Sequence, residues 1–264
     1  MHPQIAAFAR LAKENAEATR KLQGQLTRLG RTMHDIAYDA IHDEIVVGSP
    51  FAQAILIFRG GASGEEPPIR IIQGPRTQIV SATNGVDRVA IDPVHNEIFV
   101  GSRLHKILVF RRESNGNAEP IRVLGGPDSE LGTNPPIRVD TVNNLLLVSG
   151  QSGILVFDRT ASGNARPKAV LRGVGPTGGS AQFEVYNGMV ISPRRDDHIY
   201  AWSLKDTAEN PRPLWRIPAP LGPRASQLGI VLDPPHKEVL IATGEGNQIR
   251  VFSVPELFDP VGSK

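Results

Sequence analysis

Cysteine is absent from the 264 residues, which excludes disulfides, thiolate nucleophiles and cysteine-ligated zinc or iron–sulfur centres, and points to no compartment. Aromatic residues make up only 5% of the chain, with 2 Trp, 3 Tyr and 9 Phe. No apolar run approaches the roughly 18 residues of a membrane span, and no charged-then-apolar leader precedes residue 30. The chain reads as a soluble polypeptide without a transmembrane segment. An excess of one charge is also missing: 29 Lys plus Arg face 27 Asp plus Glu, a formal net charge of +2, so nothing demands a nucleic-acid partner.

What is present is apolar content and turn residues. Hydrophobic residues reach 40%, enough for a full core, and 26 Gly with 22 Pro recur at intervals, as they do where many short elements are joined by turns. The chain also repeats itself, and a repeat of several tens of residues decides the architecture. DAIHDEIVVGS (39–49), DPVHNEIFVGS (92–102), DTVNNLLLVSG (140–150) and DPPHKEVLIATG (233–244) share one plan. Each has an Asp-led turn, then a β-rich run, then Gly or Ser. A second plan follows in AILIFRGGASGEEPPIRIIQGP (54–75), KILVFRRESNGNAEPIRVLGGP (106–127) and GILVFDRTASGNARPKAVLRGVGP (153–176).

Phe58, Phe110, Phe157, Trp202 and Phe252 are spaced 52, 47, 45 and 50 residues apart, one unit per interval. Within a unit the apolar runs are short, rich in Ile, Val and Phe, and bounded by Gly, Pro, Asn or Asp, as strands covered on both faces should be. Four strands are expected per unit; in the second they fall at 88–92, 97–101, 106–111 and 121–124. Radially repeated four-stranded antiparallel sheets make an all-β fold, the β-propeller. Units beginning near residues 34, 86, 137, 182 and 228 predict five blades within one domain spanning 1–264, with six blades as the alternative.

These motifs resemble bacterial NHL-type propeller repeats, whose blades run like DPVHNEIFV, a short turn, ILVF, and NGNxxPIRVxxGP. The resemblance covers residues 5 to 258. It weakens in the fourth unit, where 183–218 lacks the Asp-Pro turn and sets Arg194, Arg195, Asp196, Asp197 and His198 in a charged loop. Similar repeat proteins are commonly exported, so the resemblance implies a secreted or periplasmic location.

The last unit ends at NQIRVFSVPELF (247–258), a third strand with no fourth after it, whereas TRKLQGQLTRL (19–29) aligns without a gap with IRIIQGPRTQI (69–79). Residues 19–24 are therefore expected to be the strand that closes the last blade, with Leu22 opposite the strand around Val251. A helix is the competing reading, because Leu22, Leu26 and Leu29 keep helical spacing and residues 10–23 are rich in Ala, Lys and Glu. Residues 1–18 receive no assignment, although Phe8 stands 50 before Phe58, as if 5–9 were a preceding third strand.

Three Asp-x-x-His-x-Glu boxes stand out: Asp39, His42, Glu44; Asp92, His95, Glu97; and Asp233, His236, Glu238. Metal binding is one reading; a turn led by the Asp side chain is the favoured one. The Gly-Pro-x-Thr pattern after each fourth strand is read as strand termination, since no Gly-rich strand-to-helix element accompanies it.

Propeller ligands are more often held by the fourth-to-first and second-to-third connections. These nominate a candidate ligand-binding cluster of His34, Asp35, Asp87, Arg88, Arg103, His105, Glu184, Arg194, Arg195, His198 and Glu245. Arg103, Arg194 and Arg195 suit an anionic ligand. No nucleophile elbow with Ser, His and Asp is visible, and no residue is assigned as catalytic.

Two functions follow. The first is a non-enzymatic NHL-like scaffold that binds a protein or polysaccharide partner and needs no cofactor. The alternative is a divalent-metal-dependent lactonase-like or esterase-like hydrolase. Similar propellers hold Ca²⁺ on the axis with carboxylates from several blades, for which this chain offers Asp35, Asp87 and Glu184.

Overall fold

A computed structural model describes residues 3–31, 33, 35–80, 88–102, 104–133, 135–175, 182–221, 228–243 and 248–259. Each repeat is an antiparallel sheet whose strands follow chain order, because neighbouring runs are joined by turns too short to cross over. The N-terminal hairpin is β1 (Gln4–Ala7) with β2 (Arg20–Gln23). The first repeat has β3 (Ile36–Asp39), β4 (Glu44–Ser49), β5 (Ala54–Arg59) and β6 (Arg70–Gln73), and the second β7 (Val89–Asp92), β8 (Glu97–Ser102), β9 (Lys106–Arg111) and β10 (Arg122–Gly125). The third has β11 (Ile137–Asp140), β12 (Leu145–Ser149), β13 (Gly153–Asp158) and β14 (Ala169–Arg172), and the fourth β15 (Glu184–Tyr186), β16 (Met189–Arg194), β17 (His198–Ser203) and β18 (Trp215–Pro218). The fifth has β19 (Leu228–Asp233), β20 (Glu238–Thr243) and β21 (Gln248–Ser253), followed by the one-turn helix α1 (Pro255–Phe258). The fold is the expected all-β, five-bladed β-propeller.

The described residues form two compact units: residues 1–137 with 162–165, and residues 138–161 with 166–264. In the first, Val46, Ile55, Ile57 and Ile72 pack against Val89, Ile98, Val100, Leu108 and Phe110, so adjoining sheets cover each other. In the second, Leu147, Ile154 and Leu171 meet Phe183, Val190 and Trp202 in the same manner, and Ile191, Ile199 and Ile217 meet Ile230, Val239 and Ile241. This is why the third-strand runs are apolar without alternation. The inner strands of the first three repeats have no solvent face.

In the first unit the outer strands are also tied backbone to backbone. Gly116 N–H donates to the Ile71 carbonyl (2.6 Å), and Gln73 N–H donates back to the Gly116 carbonyl (2.9 Å). The same pair joins Gly64 with Lys21 and Gln23, and Gly163 with Val123 and Gly125. Gly64, Gly116 and Gly163 sit at φ 62, 63 and 61, the left-handed region in which glycine is unstrained. Next to them Asn117 and Asn164 accept the Arg76 and Asp128 amides, each at 2.8 Å. β2, β6 and β10 are thus each paired on both sides, by their own third strand and by the glycine loop of the next repeat.

Buried carboxylates reinforce the arrangement. Glu97 takes both terminal nitrogens of Arg122 at 2.7 Å, and Glu44 receives Arg70 at 2.6 Å and Arg112 at 2.9 Å. After the fourth strands the Thr27, Thr77 and Ser129 hydroxyls each donate to the Gly24, Gly74 or Gly126 carbonyl at 2.6 Å, closing a 3-10 turn. The Gly-Pro-x-Thr pattern is therefore strand termination, as read from the sequence, and GQLT at 24–27 is its N-terminal copy.

The opening stretch is a strand with its 3-10 turn, not a helix, and it lies within the repeat pattern. Its partner differs from the expected one. Leu22 pairs with Ile5, not with the strand around Val251, and its outer side bridges Gly64. Residues 4–7 supply the third strand to which 20–23 is the fourth. The alignment identified the strand correctly, but alignment carries no information about which of two third-strand sequences, QIAA or QIRVFS, will hold it. Among the described residues β21 pairs with β20 alone, which leaves the fifth sheet three-stranded.

Leu22 is fully buried against Leu29, Val47, Leu56 and Phe58, so Leu22→Ala should lower stability by about 2–5 kcal/mol. Val251→Ala, at an exposed edge, should cost less than about 1 kcal/mol in the same urea titration. Equal and small losses would remove the hairpin from the core. Gly116→Ala meets no atom within 4 Å, so its expected cost of about 1–2 kcal/mol is that of the left-handed backbone alone.

Candidate functional site

The Asp-x-x-His boxes are turns. Asp39 Oδ1 accepts the amides of Ile41 and His42, both at 2.9 Å, and its Oδ2 lies 2.8 Å from His42 Nδ1. Asp92 repeats this with Val94 and His95, and Asp140 with Val142 and Asn143, whose amide takes the place of the imidazole at 2.7 Å. An Asn that does the work of the His shows that the position serves as a hydrogen-bond donor to its own Asp. The positive-φ residue is the next one along: Asp43, Asn96, Asn144 and Lys237, at φ 54 to 58.

Of the eleven residues nominated from the sequence, His34, Asp87, Arg103 and Glu245 lie outside the described residues. Asp35 is buried, and its carboxylate accepts the Ile36 amide at 3.1 Å and the Val89 amide at 3.3 Å. Arg88 is buried too; its carbonyl accepts the Gly101 amide at 2.9 Å, and its Nε has no hydrogen-bond partner among the described residues. His105 is exposed, with Nδ1 2.8 Å from the Leu131 carbonyl. Glu184 pairs with Arg138 at 2.9 Å. Among the described residues no three His, Asp or Glu side chains gather as metal ligands would.

Arg194 and His198 do come together, opposite each other where β16 turns into β17. The surroundings explain why. Tyr200 and Trp202 stack at 5.3 Å between centroids, and the Arg194 guanidinium lies over both rings, 5.1 and 4.5 Å from their centroids. Its Nη2 donates to the Gly173 carbonyl at 2.5 Å, so the cation clamps that loop to the fourth blade. Burial lowers its pKa. Arg195, its neighbour, is exposed and points elsewhere in function: it makes none of these contacts.

Burial opposes ionisation of Asp196, but the Tyr200 hydroxyl, donating at 2.5 Å, and nearby His198 and Arg216 outweigh it and hold its pKa below the ordinary Asp value. The cluster is a self-satisfied network and not an open anion site.

An open site lies at the other end of the blades in the second unit. A groove of about 830 Å³ is lined by the Asp140–Asn143 turn, the Tyr186–Met189 turn, Leu214 and Trp215 at the start of β18, and α1. Its walls are apolar: Tyr186 packs edge-on against Phe258 at 5.2 Å, while Leu214 and Val142 remain 54% and 90% exposed. Glu256 projects from the first turn of α1 into this lining, and among the described residues its carboxylate has no ion-pair partner. Sequence reasoning overlooked this groove because it favoured the opposite loops. Leu214 and Trp215, apolar residues beside the Pro-rich 211–213 stretch of the atypical fourth unit, were the available signal.

No protein-family model matches the chain, and no curated protein matches it.

Tyr200→Phe removes the hydrogen bond that favours the Asp196 carboxylate, so its pKa should rise toward the ordinary value in a carboxyl NMR titration. With a folded pKa below the unfolded one, this carboxylate favours the fold at pH above the ordinary Asp range. That contribution is lost as pH falls through the folded value. An unchanged titration in the variant would contradict the assignment.

Proposed function

We propose that the protein is a non-enzymatic binding module of the NHL-like propeller class, taking a polypeptide partner in the groove beside α1. The observation that carries the proposal is an apolar concavity with exposed Leu214 and Val142, in which the Glu256 carboxylate, without an ion-pair partner among the described residues, shares the lining with Lys205. Exposed apolar patches of this kind favour partners that bury them, and a carboxylate without an ion-pair partner favours a cation among those partners. The matching ligand is a segment with one or two large apolar side chains next to Lys or Arg. The resemblance of the repeats to NHL-type blades supports the scaffold role and an exported location.

Selection of a displayed random-peptide library on the purified chain tests this. Retained peptides should combine an aromatic or aliphatic anchor with Lys or Arg. They should be lost on the Val142→Ser/Leu214→Ser variant, and Glu256→Gln should remove the preference for the cation. Retained peptides indifferent to these substitutions would overturn the groove. Metal-stimulated hydrolysis of a lactone or ester panel by the same preparation would replace the binding module with the hydrolase.

A further inference from the structure

The five third strands share one sequence plan but not one environment. Ile55, Ile57, Ile107, Val109 and Ile154 are 0–1% exposed, in strands paired laterally with a fourth strand and, for Ile55 and Ile57, packed against the adjoining sheet. Their counterparts in β21 are Ile249 and Val251, since Gln248 pairs with Thr243 as Ala54 does with Ser49; these two are 60% and 46% exposed. A strand edge with exposed apolar side chains is a template for pairing. What it would accept can be read from the other blades.

In the first two blades the fourth strand meets the third in one register. Arg70 stands opposite Ile57 and Ile72 opposite Ile55; Arg122 stands opposite Val109 and Leu124 opposite Ile107. The third position is apolar and buried every time, as Leu22, Ile72, Leu124, Leu171 and Ile217. The arginine at the first position reaches the glutamate that opens the second strand, Arg70 to Glu44 and Arg122 to Glu97. Glu238 opens β20 in the same place, and Glu44 shows that such a carboxylate accommodates more than one cation. Just before the first position, the amides of Ile69, Ile121, Lys168 and Leu214 donate to the carbonyls of Ile57, Val109, Val156 and Ala201 at 2.7–2.8 Å. The equivalent acceptor in the fifth sheet is the Val251 carbonyl.

We propose that β21 is a docking edge that receives an extended segment of another protein as a fourth strand. The segment carries Arg at its first position, opposite Val251, and Ile or Leu at its third, opposite Ile249. This is strand addition, in which backbone hydrogen bonds give affinity and alternate side chains give specificity. A second folded copy of the chain does not suit the edge. Its three strands with the required Arg, β2, β6 and β10, are each engaged on both sides, by β1 and Gly64, β5 and Gly116, and β9 and Gly163. The edge is separate from the groove beside α1, and the proposal does not depend on that groove.

The probe is a labelled synthetic peptide of residues 66–75, EPPIRIIQGP, titrated into the full chain and followed by fluorescence anisotropy. Saturable binding is expected. Methylating the peptide nitrogen of its first Ile, which removes the amide that would reach the Val251 carbonyl, should weaken binding about tenfold. Replacing its Arg by Glu should weaken it further, and Ile249→Asp in the protein, an exposed position, should abolish it with the melting curve unchanged. The Val142→Ser/Leu214→Ser variant should bind the peptide as the parent does, which separates this edge from the groove. No saturable binding, or binding indifferent to Ile249→Asp and to N-methylation, would overturn the proposal. So would a dimer in sedimentation that Ile249→Asp dissociates, because a second copy would then occupy the edge.

Discussion

A strand at the edge of a buried sheet has backbone groups that need partners, and in the first unit those partners come from a glycine loop in the next repeat. The exchange of two hydrogen bonds between Gly64, Gly116 or Gly163 and the fourth strand before it pairs the edge and fixes the spacing of adjoining sheets. It requires a left-handed residue at the loop tip, hence glycine; beside Gly116 and Gly163 an Asn also takes the amide of the following turn, a place that Glu65 holds beside Gly64. The Gly-Asn of the second and third repeats, Gly116-Asn117 and Gly163-Asn164, is that arrangement written in sequence. The fourth repeat has KDTAENPRP instead, and there an Arg194 cation stacked on Trp202 and bonded to Gly173 ties the preceding loop to the blade.

Much of the fold was legible because each repeat states it again. Runs such as ILIF, ILVF and ILVF between Gly, Asn and Asp residues read as strands covered on both faces, and in the second repeat the expected boundaries fall within a residue of those observed. The N-terminal strand was legible for the same reason: TRKLQGQLTRL matches IRIIQGPRTQI down to the hydroxyl that closes the 3-10 turn, Thr27 for Thr77. Its partner was not. Pairing depends on which third strand is adjacent, a long-range fact, and QIAA is too short and too plain to be told from a loop by pattern alone.

The candidate site was less legible, for a physical reason. Charged residues in loops attract attention, yet here most are spent on structure: Asp35 on two amides, Glu184 on Arg138, and Arg194 on a carbonyl and two rings. The surfaces left unsatisfied are apolar. Leu214, Val142, Ile249 and Val251 look like ordinary core residues in the sequence, and only the structure reveals that they are exposed.

The central claim is that fourth strands held on both sides stabilise the early blades, while among the described residues the fifth sheet has an open edge. Native-state amide hydrogen exchange addresses both halves in one experiment. The account predicts strong protection at Gly64, Gly116 and Gly163, loop residues that would otherwise exchange freely, and fast exchange at alternate amides of Gln248–Ser253. Uniform protection along Gln248–Ser253, or rapid exchange at the three glycines, would contradict it.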